Sequence, residues 1–211
     1  MLYLANPCGG PKVVQAIRDG TLGYIDTPAQ GNIRPDGVTW AADNGCFSDR
    51  WDEGKWWRFL ESNAHDAHSC LFATLPDVVG DAWQTGIKSL PWIEPVKALG
   101  YKVAWVAQDG QELHPLPWHD IDCLFIGGIG GTTEWKLGPH ARNLAAEAKC
   151  RGKWVHMGRV NSERRYRYAL AIGCDSVDGT FLTFGPDANL PRLLAMTRLS
   201  NQGALFEGVI A

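Results

Sequence analysis

Eight short apolar runs punctuate the chain: LYLAN (2–6), LGYID (22–26), VTWAAD (38–43), CLFATLPD (70–77), KVAWVAQ (102–108), CLFIGG (123–128), KWVHMG (153–158) and CDSVDG (174–179). Each has the length of a strand and is rich in Val, Ile, Leu, Trp or Phe. Their apolarity is nearly continuous rather than alternating, which marks strands covered on both faces. Between most of them the spacing turns helical, over 11–19, 49–63, 81–99 (broken by Pro91 and Pro95), 134–149, 162–172 and 186–201. Asn161-Ser162-Glu163 offers N-cap chemistry to the fifth of these. Residues 27–37 and 109–120 read as connections without a full helix. Strands alternating with helices predict an α/β fold, a compact (β/α)8 barrel of the TIM type, as a single domain over residues 1–211. An open doubly wound sheet is the alternative. The barrel is preferred because polar residues close nearly every run: Asn6, Asp26, Asp43, Asp77, Gln108, Gly127-Gly128, Arg159 and Asp178. In a barrel those ends meet at one face, where an active site forms.

Composition narrows the class. With 45% hydrophobic and 20% charged residues the chain can bury a core, which excludes a disordered tail. No apolar run approaches the roughly 18 residues of a membrane span. The N-terminal MLYLANPCGG lacks a basic stretch followed by an apolar one, so no secretory signal is read. A net charge of −3 excludes a generally basic nucleic-acid coat. Charge is uneven, however: Lys136 to Arg167 holds nine Lys or Arg against Glu147 and Glu163, leaving 11 basic and 21 acidic residues elsewhere. That segment is either a footprint for a polyanion or a pair of solvated helix faces. The six cysteines, at 8, 46, 70, 123, 150 and 174, form no CxxC pair and read as reduced thiols of a cytoplasmic protein.

Several residues could carry chemistry. Asp43 precedes Asn44-Gly45-Cys46-Phe47, where a carboxylate either satisfies turn amides or serves as a general acid or base. Asp175 and Asp178 are three apart, so on a strand they point to opposite faces. One could then line the mouth and attack an anomeric carbon, the other being structural. Asp77 and Gln108, facing one pocket, could read the donor and acceptor edge of a purine. The glycines from Gly127 to Gly131 form either a tight turn or a close-approach loop for phosphate, although no P-loop lysine follows. His65, Asp66 and His68 lack a third ligand by spacing, so no metal and no cofactor are expected. The Trp-rich stretch 51–59 reads as outer-layer packing rather than a base-stacking platform.

Taken in order, the strand ends resemble the tRNA-guanine transglycosylase superfamily. Asp43-Asn44-Gly45-Cys46-Phe47 resembles its DSGGFQ or DSGGYQ motif, and Ala107-Gln108-Asp109-Gly110 its VQG strand end. Gly127-Gly128-Ile129-Gly130-Gly131, with Glu134 nearby, resembles its GGLxxGE turn. His156-Met157-Gly158-Arg159-Val160 resembles LMGVG, and Gly173-Cys174-Asp175-Ser176-Val177-Asp178 resembles GxDxFD. The matches run from about residue 40 to 180. The resemblance implies that Asp178 is the nucleophile and Asp43 the general acid/base. It places Asp77, Gln108, Gly127, Gly128 and Met157 at the base. Asp178 would attack C1′ of a nucleotide as guanine leaves, and a second base would displace it from the covalent intermediate with help from Asp43.

Departures from the family turn the expectation from tRNA to DNA. The tRNA enzymes carry a C-terminal zinc site of three cysteines and a histidine, whereas the last cysteine here is Cys174. They carry Pro-Thr-Arg soon after the nucleophile, whereas Gly179-Thr180-Phe181 follows here and the next arginine is Arg192. What remains is similar to compact phage-type relatives that exchange guanine in DNA for a 7-deazaguanine base. The expected partners are DNA and the free 7-deazaguanine base, with Arg159, Arg164 and Arg165 on DNA phosphates. A duplex target would be flipped out. A homodimer or an accessory protein stays open, no membrane partner is expected, and the location is the cytoplasm, that of a bacterial host if phage-encoded. The alternatives are a tRNA-guanine transglycosylase, a base-releasing glycosylase or, in another class, a non-catalytic nucleotide-binding barrel acting as an accessory subunit.

Overall fold

The structure is a computed structural model and describes residues 1–6, 10–28, 33–48, 51–129, 135–183 and 185–207, with side chains through 198. Cys8, Gly130, Gly131 and Glu134 lie outside the described residues. Eight strands form in the eight apolar runs: β1 (Leu2–Ala5), β2 (Gly23–Asp26), β3 (Trp40–Ala42), β4 (Cys70–Thr74), β5 (Val103–Ala107), β6 (Cys123–Ile126), β7 (Trp154–Met157) and β8 (Ser176–Gly179). They are parallel to their neighbours and close in sequence order, with β8 pairing back onto β1. The chain is therefore a (β/α)8 barrel, as the run pattern predicts.

The helices are α1 (Pro11–Arg18), α2 (Glu53–Asn63), α3 (Ala82–Ser89), α4 (Ile93–Ala98), α5 (Pro139–Cys150), α6 (Glu163–Ala171) and α7 (Pro186–Glu207). Pro91 divides α3 from α4 through a 3-10 turn, while Pro95 is tolerated in the first turn of α4. Among the described residues no helix follows β2, and only a 3-10 turn, Gln111–Leu113, follows β5. Three helix starts carry side-chain caps: Asp52 accepts from the Lys55 amide (2.7 Å), Asp81 from Gln84 (2.9 Å) and Ser162 from Arg165 (3.3 Å). None of the described helices is long and apolar enough to cross a membrane.

Two apolar layers follow from strand alternation. Inside the barrel, Leu4, Ile25, Ala41, Phe72, Ala104, Val106, Cys123 and Phe125 pack together, with Phe72 and Phe125 edge to face at 6.3 Å. Outside, the other strand face and the helices bury Tyr3, Trp40, Trp56, Trp105 and Tyr166. Trp56 meets Trp92 edge to face at 5.0 Å, so the Trp-rich helix is outer-layer packing. The interior plug fills the lower barrel and leaves the C-terminal mouth to polar side chains. The five described cysteines are free thiols, and burial pushes Cys46, Cys70 and Cys174 up to about 12.

Candidate active site

Side chains on alternate residues of each strand face the barrel axis, so the last inward residue of a strand decides what the mouth carries. Asn6, Asp43, Gln108, Gly127, Gly158 and Asp178 fall on these inward rows, and with Asp77 they line one pocket of about 400 Å³. That is within the range for small-molecule sites. Asp26 breaks the series. It lies on the outward row of β2, forms an ion pair with Arg34 at 3.5 Å, and does not line this pocket. Asp175 also leaves the mouth: at the foot of β8 it holds Lys149 at 2.6 Å and accepts from the Val155 amide at 2.8 Å. The spacing of three thus sets the two acids on opposite faces, as expected, with Asp175 at the foot of the strand and Asp178 in the mouth.

Asp178 is held from behind. Its Oδ1 accepts from His156 Nε2 at 3.1 Å and from the Arg159 amide at 3.2 Å. The Arg159 amide reaches it because Arg159 adopts a positive φ of 59°, rare for a side chain this size. Gly158 makes room: a Cβ there would lie 2.7 Å from the Phe125 ring and 3.4 Å from Asp178 Oδ1.

Asp43 follows β3 at the mouth. Burial, then the negative charges of Asp178 and Asp77, push its carboxyl up to about 7, against the pull of the Gly45 and Asn44 amides. A carboxyl so placed exchanges protons near neutrality, as general acid/base work requires.

Asp77 and Gln108 form one unit. Gln108 Nε2 donates to Asp77 Oδ2 at 2.5 Å, and Asn44 Nδ2 donates to Asp77 Oδ1 at 2.6 Å. Burial raises the Asp77 pKa, with these two hydrogen bonds opposing it. Gln108 Oε1 accepts from the amides of Gly80 and Gly128, each at 2.9 Å, which fixes the orientation of the side-chain amide. Its second Nε2 hydrogen is left to donate elsewhere. The glycine loop is correspondingly spent. Gly127 N–H bonds Ala107 O at 2.9 Å, Gly128 N–H bonds Gln108, and Ile129 N–H bonds Asp109 Oδ2 at 3.0 Å. These three described amides brace the pocket wall and are not directed at a phosphate. Gly127 is required there, since a Cβ would lie 2.8 Å from Gln108 Nε2.

Other expectations are redistributed. Met157, expected at the base, is fully buried between strands and helices and does not line the pocket. Its neighbour His156 takes the inward position instead, and the sequence reading did not single it out. The only signal for it is a polar residue inside the apolar run KWVHMG. Lys136 and Phe47 were also missed. Lys136 is buried at the pocket wall, donating to Gly158 O at 3.2 Å, and Phe47 lies under the Arg159 guanidinium at 4.0 Å. Of the three arginines expected on phosphate, Arg159 lines the pocket, Arg165 donates to Arg159 O at 3.3 Å, and Arg164 is exposed at the start of α6. The rest of the basic segment is largely committed locally: Lys149 to Asp175, Arg151 to Glu147 and Arg167 to Glu163. A more open depression of about 930 Å³ includes Arg34, His65, Asp66 and His68. Its Arg34 is spent on Asp26, Asp66 and Asn63. Among the described residues no three His, Cys, Asp or Glu side chains are grouped to hold a metal.

No protein-family model matches the chain, and no curated protein matches it. Solved structures do. A chain of the Amycolatopsis orientalis BexX/CysO complex is 15% identical with a TM-score of 0.62, over 97% of this chain and 89% of that one. Dihydrodipicolinate synthase from Bacillus clausii is 11% identical with a TM-score of 0.57, over 95% of this chain and 75% of that one. At such identities the likeness carries the barrel fold alone.

Proposed function

We propose that this barrel is a nucleic-acid base transglycosylase that exchanges guanine in DNA for a 7-deazaguanine derivative through an aspartyl-glycosyl intermediate. One observation carries the reading. Asp43 and Asp178 line a single small pocket together with the Asp77–Gln108 pair, which supports assigning to them the parts of proton carrier, nucleophile and base reader. In this reading Asp178 Oδ2 attacks C1′ of the target nucleotide and the C1′–N9 bond breaks. The departing guanine takes the electron pair and a proton from Asp43. The incoming base then attacks C1′ through N9, the ester bond to Asp178 breaks, and the N9 proton returns to Asp43. Asp77 accepts from the N–H groups of guanine, and the remaining Gln108 Nε2 hydrogen meets its carbonyl. The ordered resemblance of the strand ends supports the chemistry. Gly179-Thr180-Phe181 in place of Pro-Thr-Arg after the nucleophile favours DNA over tRNA.

The test incubates the purified protein with guanine-containing DNA, and separately with tRNA, together with isotope-labelled guanine and 7-deazaguanine bases. Nuclease digests are read by mass spectrometry, with Asp178→Ala alongside. Label entering DNA with the native protein only is the expected result. Label entering tRNA instead would move the substrate. Base release without incorporation would make the protein a glycosylase. Activity surviving in Asp178→Ala would overturn the mechanism.

A further inference from the structure

We infer that His156 is a positioning residue for Asp178, the last member of a one-way hydrogen-bond chain, buried at its centre, that runs Trp154–Ser176–His156–Asp178. The inference deepens the transglycosylase reading and rests on it for the role of Asp178, but its geometry stands apart.

The direction of the chain is fixed from both ends, since the ionised carboxylate of Asp178 can only accept and so takes its hydrogen from His156 Nε2. An indole N–H can only donate. Trp154 Nε1 lies 2.8 Å from Ser176 Oγ, so the hydroxyl accepts there and its own hydrogen is left to give away. Ser176 Oγ lies 2.8 Å from His156 Nδ1, which accepts that hydrogen. The ring hydrogen is then on Nε2, which is 3.1 Å from Asp178 Oδ1. With the Arg159 amide, Oδ1 has two donors, while Oδ2 takes no hydrogen bond from a described residue. One carboxylate oxygen is anchored and the other is presented to the pocket.

The ring has no room to turn. His156 is 0% exposed and lies between Phe72 at 5.1 Å and Phe125 at 4.5 Å. Apolar side chains would fill this part of the barrel without the cost of burying two polar ones, His156 and Ser176. The polar chain lies directly behind the one carboxylate that the reaction uses as nucleophile. It serves both half-reactions. When Oδ2 is esterified to C1′, Oδ1 becomes the ester carbonyl oxygen and keeps both donors. When the ester bond breaks, the same donors receive the returning charge.

The experiment compares His156→Leu, which removes the donor, with His156→Gln, whose amide N–H can reach the place of Nε2, and with Ser176→Ala. Single-turnover formation of the covalent DNA adduct, KM for DNA and melting temperature are measured for each. Loss of positioning should slow adduct formation by ~100-fold in His156→Leu while KM changes less than about 2-fold. His156→Gln should recover to within about 5-fold of the native protein. A nitrogen NMR spectrum of labelled native protein reads the tautomer without any activity: a hydrogen on Nε2, with its signal moved in Asp178→Ala, is expected. Equal adduct rates in the native protein and His156→Leu, or a hydrogen on Nδ1, would overturn the inference. If the native protein exchanges no base, the transglycosylase reading fails, and the spectrum alone decides whether His156 holds Asp178.

Discussion

At the scale of single residues the pocket is governed by one unusual proton. Asp43 in the folded protein titrates at about 7 against an ordinary 3.8, so the folded state keeps a proton that the unfolded chain has lost between those values. Its contribution to stability is complete below about pH 4 and is lost as pH rises through about 7. Asp43→Asn removes that loss and should be the more stable protein above pH 7, by up to about 4 kcal/mol. Chemical denaturation of both proteins across pH 4 to 8 measures the difference. In the proposed base exchange the sign divides by half-reaction. Base release needs the protonated acid and should fall through pH 7, while base insertion needs the carboxylate and should rise there; Asp43→Asn should flatten both profiles. Gly158 gives a steric counterpart. Gly158→Ala drives a methyl into Phe125 and toward Asp178, and should cost 1–3 kcal/mol of stability together with roughly 10-fold or more of the adduct rate.

At the scale of the element, parity decides which residues meet. Successive strand side chains face opposite sides, so a one-residue difference moves a group from the pocket to the helix layer. Asp26 and Asp43 both close apolar runs, yet Asp26 turns outward to Arg34 while Asp43 reaches the pocket. Met157 and His156 are neighbours, and the inward one is His156. The run pattern marks where strands end but carries no parity, because near-continuous apolarity erases the alternation that would reveal it. Capping is more local and was readable: Ser162, in the expected Asn161-Ser162-Glu163 segment, does cap α6. Since α6 begins at the mouth, Ser162→Ala should lower stability by about 1 kcal/mol and loosen Arg165 from Arg159 O, seen as weaker DNA binding with an unchanged melting cooperativity.

At the scale of the molecule, charge is sorted by which end of the barrel each element reaches. α5 runs away from the mouth, so Lys149 and Arg151 at its end sit far from the pocket, on Asp175 and Glu147. α6 starts at the mouth, where Arg165 donates to Arg159 O and Arg164 is exposed one residue before it. Under the proposed function the basic segment would act as a footprint only where it meets the mouth. Arg164→Ala should reduce the slope of log affinity for DNA against log salt by about 1, whereas Lys153→Ala should leave it unchanged, as fluorescence titration over a salt series would register. A uniform response to both would return the segment to solvated helix faces.

The chain by itself determined the barrel: eight apolar runs of strand length, separated by helical spacing and punctuated by Gly and Pro, admit few other closures. It also marked Asp43, Asp77, Gln108 and Asp178, because a polar residue ending an apolar run stands out wherever the strands later meet. Only the tertiary structure decided that these four share a pocket while Asp26 does not. It alone turned the glycine loop's amides to the pocket wall and set His156 and Ser176 behind Asp178. Those outcomes depend on register between strands far apart in the chain and on side chains that touch only once the barrel closes, so no local pattern records them.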